Sequence, residues 1–226
     1  MRVFVFCAHE DDECCMGGTI VKHTRRGDEV TVIYTTDGSG GIISISDREE
    51  VRKIREEEAK ASCKVLGVHK VEFLRYRDGF LYMNEDTVRR VGEIIRSGKP
   101  DRVYAPFGEN YNYWENTDHP TTYRIVEEAI FKSYYAHYPI IGSDVWTVKD
   151  FWEYEIWTLP FPTAYVDVTD VWSTKMESLK QHKSQIGAGA WGRTQQGVES
   201  RARLRGSHFG CDYAEAFKAV LTPVFP

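Results

Sequence analysis

The chain has 226 residues, of which 42% are hydrophobic and 28% are charged, a composition typical of globular domains. Its 34 acidic residues outnumber its 29 Lys and Arg residues, and the formal net charge of −5 argues against a nucleic acid or another polyanion as a partner. No segment approaches the ~20 apolar residues of a membrane span, and the apolar start is too short for a signal peptide, so we expect a cytoplasmic protein without membrane contact.

Short apolar runs alternate with amphipathic segments in the first half of the chain. The runs predict strands at residues 2–7, 29–35, 71–74 and 102–105. The segments predict helices at residues 17–26, from 46 to 66, over 86–96 and from Pro120 onward. Ser46 and Glu49 have the spacing of a capping box at the start of the second helix. This alternation predicts a three-layer α/β fold, in which helices cover both faces of a mainly parallel sheet.

The second half of the chain has a less regular pattern. We expect a strand over 151–157 and helices over 171–185 and 213–220. Six glycines between residues 187 and 210 predict a long loop or rim segment. Aromatic residues are dense over 134–165, which indicates core packing and contacts between subunits. We expect all of residues 1–226 to form a single domain.

Side chains that bind metals follow two of the predicted strands. One imidazole and four carboxylates make up the run 9–13 directly after the first strand, and His119 follows the fourth strand at a helix start. In parallel sheets, ligands bind beyond the carboxyl ends of the strands, so these groups are expected at one edge. A catalytic zinc takes three protein ligands of the imidazole and carboxylate type. His9, Asp12 and His119 are therefore a candidate site, and Asp11 beside it is placed to take a proton from water.

The residues alone leave other interpretations open. Acidic clusters are most often solvated surface, and spacing does not identify a metal or a reaction. A Rossmann-like nucleotide-binding module with a vestigial site is one alternative. However, no Gly-x-Gly-x-x-Gly follows the first strand, because Ala8-His9-Glu10-Asp11 occupies that turn.

Several motifs resemble those of one enzyme family. Ala8-His9-Glu10-Asp11-Asp12-Glu13, followed by Gly17-Gly18, is similar to the Ala-His-Pro-Asp-Asp-Glu…Gly-Gly signature of the PIG-L-like (LmbE-like) zinc N-deacetylases. Further matches occur in the family's order at Thr36-Asp37-Gly38, Arg55 to Ala59 with Leu66-Gly67, Arg77-Asp78-Gly79, Asn116 to His119, Lys175 with His182 to Gln185, and Tyr213 to Phe217. The resemblance extends over nearly the whole chain.

This resemblance implies a Rossmann-like fold and a homo-oligomer, for which a hexamer is one arrangement. It also implies that the protein removes the N-acetyl group from an N-acetylglucosamine-type sugar or short glycan, with a deacylase of a non-sugar or thiol-conjugate amide as the alternative. The implied roles are zinc ligation by His9, Asp12 and His119, general base catalysis by Asp11, orientation by Asp118, and substrate binding by Arg55 and Asp78.

The chain departs from the family pattern at two positions. Glu10 replaces the usual proline, which should alter the stiffness of the loop more than its chemistry. Asn116 stands where many members have a histidine that is thought to stabilise the oxyanion. A neutral amide can still donate one hydrogen bond to the oxyanion. The alternative is that Asn116 only shapes a turn.

Other candidate residues also have ordinary structural explanations. Arg55 lies on a glutamate-rich helix and could form surface ion pairs, and Asp78 before a glycine is a common turn former. Three aromatic residues, Tyr111, Tyr113 and Trp114, could stack on sugar rings or pack the loop before His119. His182 and His208 are left without a role.

Overall fold

The computed structural model describes residues 1–109, 116–138, 144–186 and 191–221, except for the side chains of 191–194. The strands are β1 (Arg2–Cys7), β2 (Glu29–Thr36), β3 (Lys70–Tyr76), β4 (Arg102–Pro106), β5 (Asp150–Tyr154), β6 (Ala164–Asp167) and β7 (Ala214–Leu221). The helices are α1 (Gly17–Arg25), α2 (Arg48–Leu66), α3 (Glu85–Gly98), α4 (Asp118–Tyr134), α5 (Trp172–Leu179) and α6 (Trp191–Ser207). Within the described part of the chain, no helix has the length and apolar character that crossing a membrane requires.

The seven strands form one sheet in the order β3-β2-β1-β4-β5-β7-β6. The five strands from β3 to β5 in this order run parallel, and β7 is antiparallel to both of its neighbours. The expected α/β fold with a mainly parallel sheet is therefore confirmed. The chain leaves β1 toward β2 on one side and later adds β4 on the other side. This change of direction opens a crevice at the carboxyl ends of β1 and β4.

The central strand is buried on both faces. Val3, Val5 and Cys7 pack in a core with residues of α1 and α2, and Phe4 and Phe6 pack in a second core with residues of α3 and α4. A strand covered on both sides needs apolar residues at every position, which explains the unbroken apolar run at the start of the sequence. The run that follows β1 is consequently held against a rigid base.

The start of α2 differs from the prediction by one residue. Asp47, not Ser46, is the N-cap, and its carboxylate accepts hydrogen bonds from the N–H groups of Glu49 and Glu50. Gly67 ends the helix with a φ of 77°, a conformation that glycine adopts without strain. The end of α2 was therefore predicted from its Leu-Gly pair, and its start was not.

Two predictions for the C-terminal part were wrong. Residues 213–220 were expected to be a helix, but Ala214–Leu221 form β7. β7 lies between β5 and β6, so hydrogen bonds on both sides outweigh the helical preference of its Ala and Glu residues. The segment 187–210 was expected to be a loop, but Trp191–Ser207 form α6. The glycines of α6 do not prevent the helix, since the cost of each is only ~1 kcal/mol.

Smaller differences affect the elements around β7. The strand expected over 151–157 ends at Tyr154, and the helix expected over 171–185 is limited to Trp172–Leu179. β6 was not predicted, because its four residues offer too short a pattern. The segment after α5 continues in short turns, such as Gln181 N–H to the Ser178 carbonyl at 3.0 Å and Ile186 N–H to the His182 carbonyl at 3.1 Å, and contacts other elements through its side chains.

A buried ion pair connects α5 and β7 to the start of α1. Nζ of Lys175 lies 2.6 Å from Oε1 of Glu215, and the two side chains are only 4% and 3% exposed. The Glu215 carboxylate also accepts hydrogen bonds from the N–H groups of Gly18 and Thr19, at 2.9 and 2.8 Å. A carboxylate is favourable at a helix N-terminus, so this pair fixes α1 directly behind the run that follows β1.

We expect Lys175→Met to lower the free energy of unfolding by about 3 kcal/mol, because it leaves the buried Glu215 carboxylate without its cation. Urea unfolding measures the change. Lys180→Met is the matched control, since the Lys180–Glu177 pair is 53% exposed on both sides and should be worth less than ~1 kcal/mol. Equal losses in the two variants would show that burial of the Lys175 pair has no special effect.

Candidate active site

Three candidate metal ligands meet at the carboxyl ends of β1 and β4. Nε2 of His119 lies 3.1 Å from Oδ1 of Asp12 and 3.2 Å from Nδ1 of His9. All three residues are buried. Oδ2 of Asp12 accepts hydrogen bonds from the N–H groups of Ala8 and His9, at 2.8 and 2.9 Å, which orients Oδ1 toward His119. The structure thus brings together the three side chains that the sequence suggested, with their donor atoms within 4.8 Å of one another.

The other nitrogen of His9 faces two carboxylates. Nε2 of His9 lies 3.3 Å from Oδ1 of Asp78 and 3.4 Å from Oδ2 of Asp118. Asp118 is itself held by the N–H groups of Gly79 and Leu81, at 2.7 and 3.3 Å. Carboxylates commonly hold the outer nitrogen of a metal-binding histidine in this way, which leaves the inner nitrogen free for the metal.

The electrostatics of this cluster favour a positive charge. Burial alone lowers the pKa of His9, but the hydrogen bonds to Asp118 and Asp78 outweigh burial and raise it to about 10. Burial alone raises the pKa of Asp78, but the hydrogen bond and charge of His9 lower it to about 2. Carboxylates that stay ionised around an imidazole favour a positive charge there, and a divalent metal at Nδ1 of His9 would take the place of the proton on that nitrogen. The donor set and the charge therefore fit a divalent metal.

Asp11 lies beside the cluster and is the most exposed member of the run after β1. Its side chain is 33% exposed, and Oδ1 accepts a hydrogen bond from Nη2 of Arg55 at 3.1 Å. Arg55 is only 3% exposed and also donates to the carbonyl oxygens of Glu10 and Gly38, at 3.0 and 3.1 Å. Surface ion pairing instead occurs at Arg52, which bonds the carboxylates of neighbouring glutamates. Arg55 thus contacts the predicted general base directly.

Asn116 contacts the turn before α4 through its amide oxygen and the candidate ligand His9 through its amide nitrogen. Its Oδ1 accepts a hydrogen bond from the N–H of Asp118 at 2.9 Å, which is a turn-shaping contact. Its Nδ2 lies 3.2 Å from Nε2 of His9, so the amide donor is at the cluster. Asn116 is exposed, so a ligand can reach it.

Glu10 has an unusual environment that the sequence did not predict. The side chain is fully buried, and neither carboxylate oxygen has a hydrogen-bond partner among the residues that the structure describes. Burial raises its pKa to about 7, although Arg55 lies 3.8 Å away. A Cβ at Gly38, which has a φ of 55°, would lie 1.8 Å from Oε2 of Glu10. Glu10 therefore requires a glycine in the second loop, and no local signal connects these two positions.

The two histidines without an assigned role, His182 and His208, have different environments. His182 is fully buried, and its Nε2 lies 2.7 Å from Oε1 of Glu13. His208 is exposed and contacts the ring of Tyr165 at a centroid distance of 6.1 Å. The loop aromatics Tyr111, Tyr113 and Trp114 lie outside the described residues.

A mainly parallel sheet with a buried His/Asp cluster and an accessible carboxylate beside it is the arrangement of a metal-assisted hydrolase. Comparison with known families agrees, because residues 4–130 match the family described as PIG-L: GlcNAc-PI de-N-acetylase. The chain belongs to the PIG-L family. The resemblance drawn from its motifs is thereby confirmed.

Individual relatives cover most of the chain. Diacetylchitobiose deacetylase of Thermococcus kodakarensis is 28% identical over 97% of this chain and 83% of its own length. A 1D-myo-inositol 2-acetamido-2-deoxy-alpha-D-glucopyranoside deacetylase of Rhodococcus erythropolis is 25% identical over 82% of this chain and 81% of its own. The solved structure of N,N'-diacetylchitobiose deacetylase from Pyrococcus horikoshii, complexed with its inhibitor MPG, superposes with a TM-score of 0.90 at 28% identity, covering 97% of this chain and 84% of that one.

Proposed function

We propose that this protein is a metal-dependent N-deacetylase that hydrolyses the N-acetyl group of an N-acetylglucosamine-type sugar or glycoconjugate. The observation that carries the proposal is the buried cluster of His9, Asp12 and His119 with the partly exposed Asp11 beside it. The relatives that cover most of this chain are named as deacetylases of N-acetylated amino sugars. This support extends to the substrate class and not to one particular sugar.

We propose zinc as the metal, with His9, Asp12 and His119 as the residues that hold it. Imidazole nitrogen and carboxylate oxygen are ordinary zinc ligands, and three protein ligands are typical of catalytic sites. When bound, the metal would supply a Lewis acid that polarises the amide carbonyl and makes water a stronger acid. Asp118 and Asp78 would keep Nδ1 of His9 directed toward the ion, since both contact its Nε2.

Asp11 is proposed to act first as a base and then as an acid. It accepts a proton as a water oxygen attacks the amide carbon, and it returns that proton to the amine nitrogen as the carbon–nitrogen bond breaks. The products are acetate and a free amine. Arg55 holds Oδ1 of Asp11, so Oδ2 is the oxygen proposed to accept the proton. The exposure of Asp11 fits this role, because water and substrate must reach it.

The contacts of Arg55 and Asp78 favour an orienting role. Both oxygens of Asp78 are engaged, Oδ1 near His9 and Oδ2 with the N–H of Gly40 at 2.9 Å. Arg55 is likewise engaged with Asp11 and backbone carbonyl groups. Direct binding of substrate hydroxyl groups by these two residues stays a prediction.

We expect Asn116→Ala to lower kcat by ~10²-fold or less with little change in KM, because the lost amide would stabilise only the oxyanion. Asn116→Ser is the matched control: its hydroxyl can still accept the turn hydrogen bond, but its side chain is one atom shorter and does not reach the position of the amide donor Nδ2. Steady-state kinetics and metal analysis are measured for both. A low kcat in both variants supports the oxyanion role, and a near wild-type kcat in the serine variant assigns Asn116 to the turn.

We also propose that the protein is cytoplasmic and forms a homo-oligomer, with a hexamer as one form. All five cysteines are free, which suits a reducing compartment. Trp157 and Phe161 are 62% and 77% exposed within the aromatic-rich stretch, and such residues suit subunit contacts. Light scattering of the purified protein tests the assembly.

The function is tested by incubating the protein with N-acetylglucosamine, N,N'-diacetylchitobiose and N-acetylated amino acids or thiol conjugates. We expect acetate and free amine in equal amounts from the sugars, loss of both with a chelator, and recovery with zinc. Release from the non-sugar amides alone would favour the alternative deacylase. No release from any N-acetyl compound by the metal-loaded protein would overturn the proposal in favour of a binding module.

A further inference from the structure

The segment that follows α5 connects three parts of the candidate site. Its hydrogen bonds run from His182 Nε2 to Glu13 Oε1 at 2.7 Å, from the Ser184 N–H and hydroxyl to Glu58 at 2.8 and 2.6 Å, and from Gln185 Nε2 to the Gly41 carbonyl at 3.2 Å. These partners lie in the run after β1, in the helix that bears Arg55 and in the glycine-rich loop. The segment 182–185 therefore contacts the run that holds Asp11, the helix that bears its partner Arg55, and the glycine-rich loop.

The contact between His182 and Glu13 is the most enclosed of these. Both side chains are 0% exposed. Oε1 of Glu13 also accepts a hydrogen bond from the hydroxyl of Ser62 on α2, at 2.6 Å. A buried carboxylate needs such partners, since removing one of them leaves an uncompensated charge. Glu13 is therefore fixed by two different elements.

Glu13 is the residue next to Asp12 and two after Asp11, so the three carboxylates share one tight turn. The N–H of Cys14 closes that turn on the carbonyl of Asp11 at 3.1 Å. A shift of Glu13 must therefore move the two residues before it. A displacement of ~1 Å at reacting groups can cost ~10²-fold in rate even when the mutated residue is remote.

We propose that His182 is a positioning residue that fixes Asp11 and Asp12 through its hydrogen bond to Glu13. This inference rests on the proposed function, because it assigns a purpose to the placement of those two carboxylates. His182 itself is buried behind the turn and touches neither of them. Its effect on the site is transmitted by the backbone from Glu13.

A second metal site is the main competing explanation, since Glu13, Cys14 and His182 offer donor atoms within 4.8 Å of one another. Two ligands of a tetrahedral zinc at ~2.0–2.2 Å lie roughly 3.4 Å apart. The 2.7 Å between His182 and Glu13 is much shorter and is a hydrogen-bond distance. The corresponding separations among the ligands of the proposed catalytic site are 3.1 and 3.2 Å. The geometry thus favours a hydrogen-bonded pair.

The test compares His182→Ala, His182→Gln and Ser184→Ala. We expect His182→Ala to lower kcat ~10²-fold with KM nearly unchanged, and to weaken zinc binding in competition with a chelator. His182→Gln keeps a donor for Glu13 and should restore both properties close to wild type. Ser184→Ala is the matched control, because it removes a contact of the same segment with Glu58 and leaves the Glu13 contact intact. It should lower the melting temperature without a large change in kcat.

Three results would overturn the proposal. The first is a folded His182→Ala with wild-type kcat and zinc affinity. The second is a parallel loss of kcat in Ser184→Ala, which would indicate a purely structural segment. The third is two zinc ions in the wild type and one in His182→Gln, which would make His182 a ligand. If His182→Ala does not fold, the glutamine variant and the control decide. If the wild type releases no acetate, the proposed function fails, and zinc affinity still tests the positioning of Asp12.

Discussion

Replacing Asp11 by asparagine is expected to lower kcat by ~10²–10⁴-fold while the metal content stays at the wild-type level. Asparagine has the same shape and keeps an oxygen for the hydrogen bond from Arg55, but it cannot take the proton from water. Steady-state kinetics together with elemental analysis measure the two effects separately. The metal should remain, because Asp11 is not among the three proposed ligands.

The matched control for this variant is Glu10→Gln, an isosteric change at the preceding residue. Glu10 is fully buried and so cannot receive a proton from substrate water. Glu13 is excluded for the same reason. Near wild-type kcat in Asp11→Asn would contradict the assignment of the base.

Replacing His119 by alanine is expected to remove both metal binding and hydrolysis. Loss of an outer hydrogen-bond partner of a metal ligand already costs ~10–100-fold in affinity, and loss of a ligand should cost more. Metal content after dialysis and acetate release are the measurements. His208→Ala is the matched control, since His208 is exposed and contacts Tyr165 away from the cluster.

The result that would contradict the ligand assignment is an unchanged metal content in His119→Ala. A second informative variant is Asp118→Asn, which keeps the ligands but weakens the support of His9 at its Nε2. It should fall between the wild type and His119→Ala in metal affinity. Equal affinity in Asp118→Asn and the wild type would show that this contact does not orient His9.

The parts of the fold that were predicted correctly are those with strong local patterns. β1 is apolar from Val3 to Cys7 because both of its faces are covered there, and the run after it carries its chemistry in consecutive residues. β7 was mistaken for a helix because its Ala and Glu residues favour helices, and only its two neighbouring strands make it extended. Its position in the sheet is a tertiary property that no local pattern contains.

The same distinction holds within the candidate site. His9, Asp12 and His119 could be proposed as one cluster because parallel strands place their carboxyl ends at a common edge. The pairs that support the cluster could not be predicted in this way. His182 and Glu13 are 169 residues apart in the chain, and Lys175 and Glu215 are 40 apart. Their pairing depends on how α5 packs, and the sequence offers no periodic signal for that contact.

The most direct test of the account is a metal titration of activity. Zinc is added in steps to the metal-free protein, and acetate release from N,N'-diacetylchitobiose is measured at each step. The account predicts that activity rises linearly and levels off at about one equivalent per chain, because one set of three ligands carries the reaction. Full acetate release by the metal-free protein, or a rise that is unchanged in His119→Ala, would contradict it.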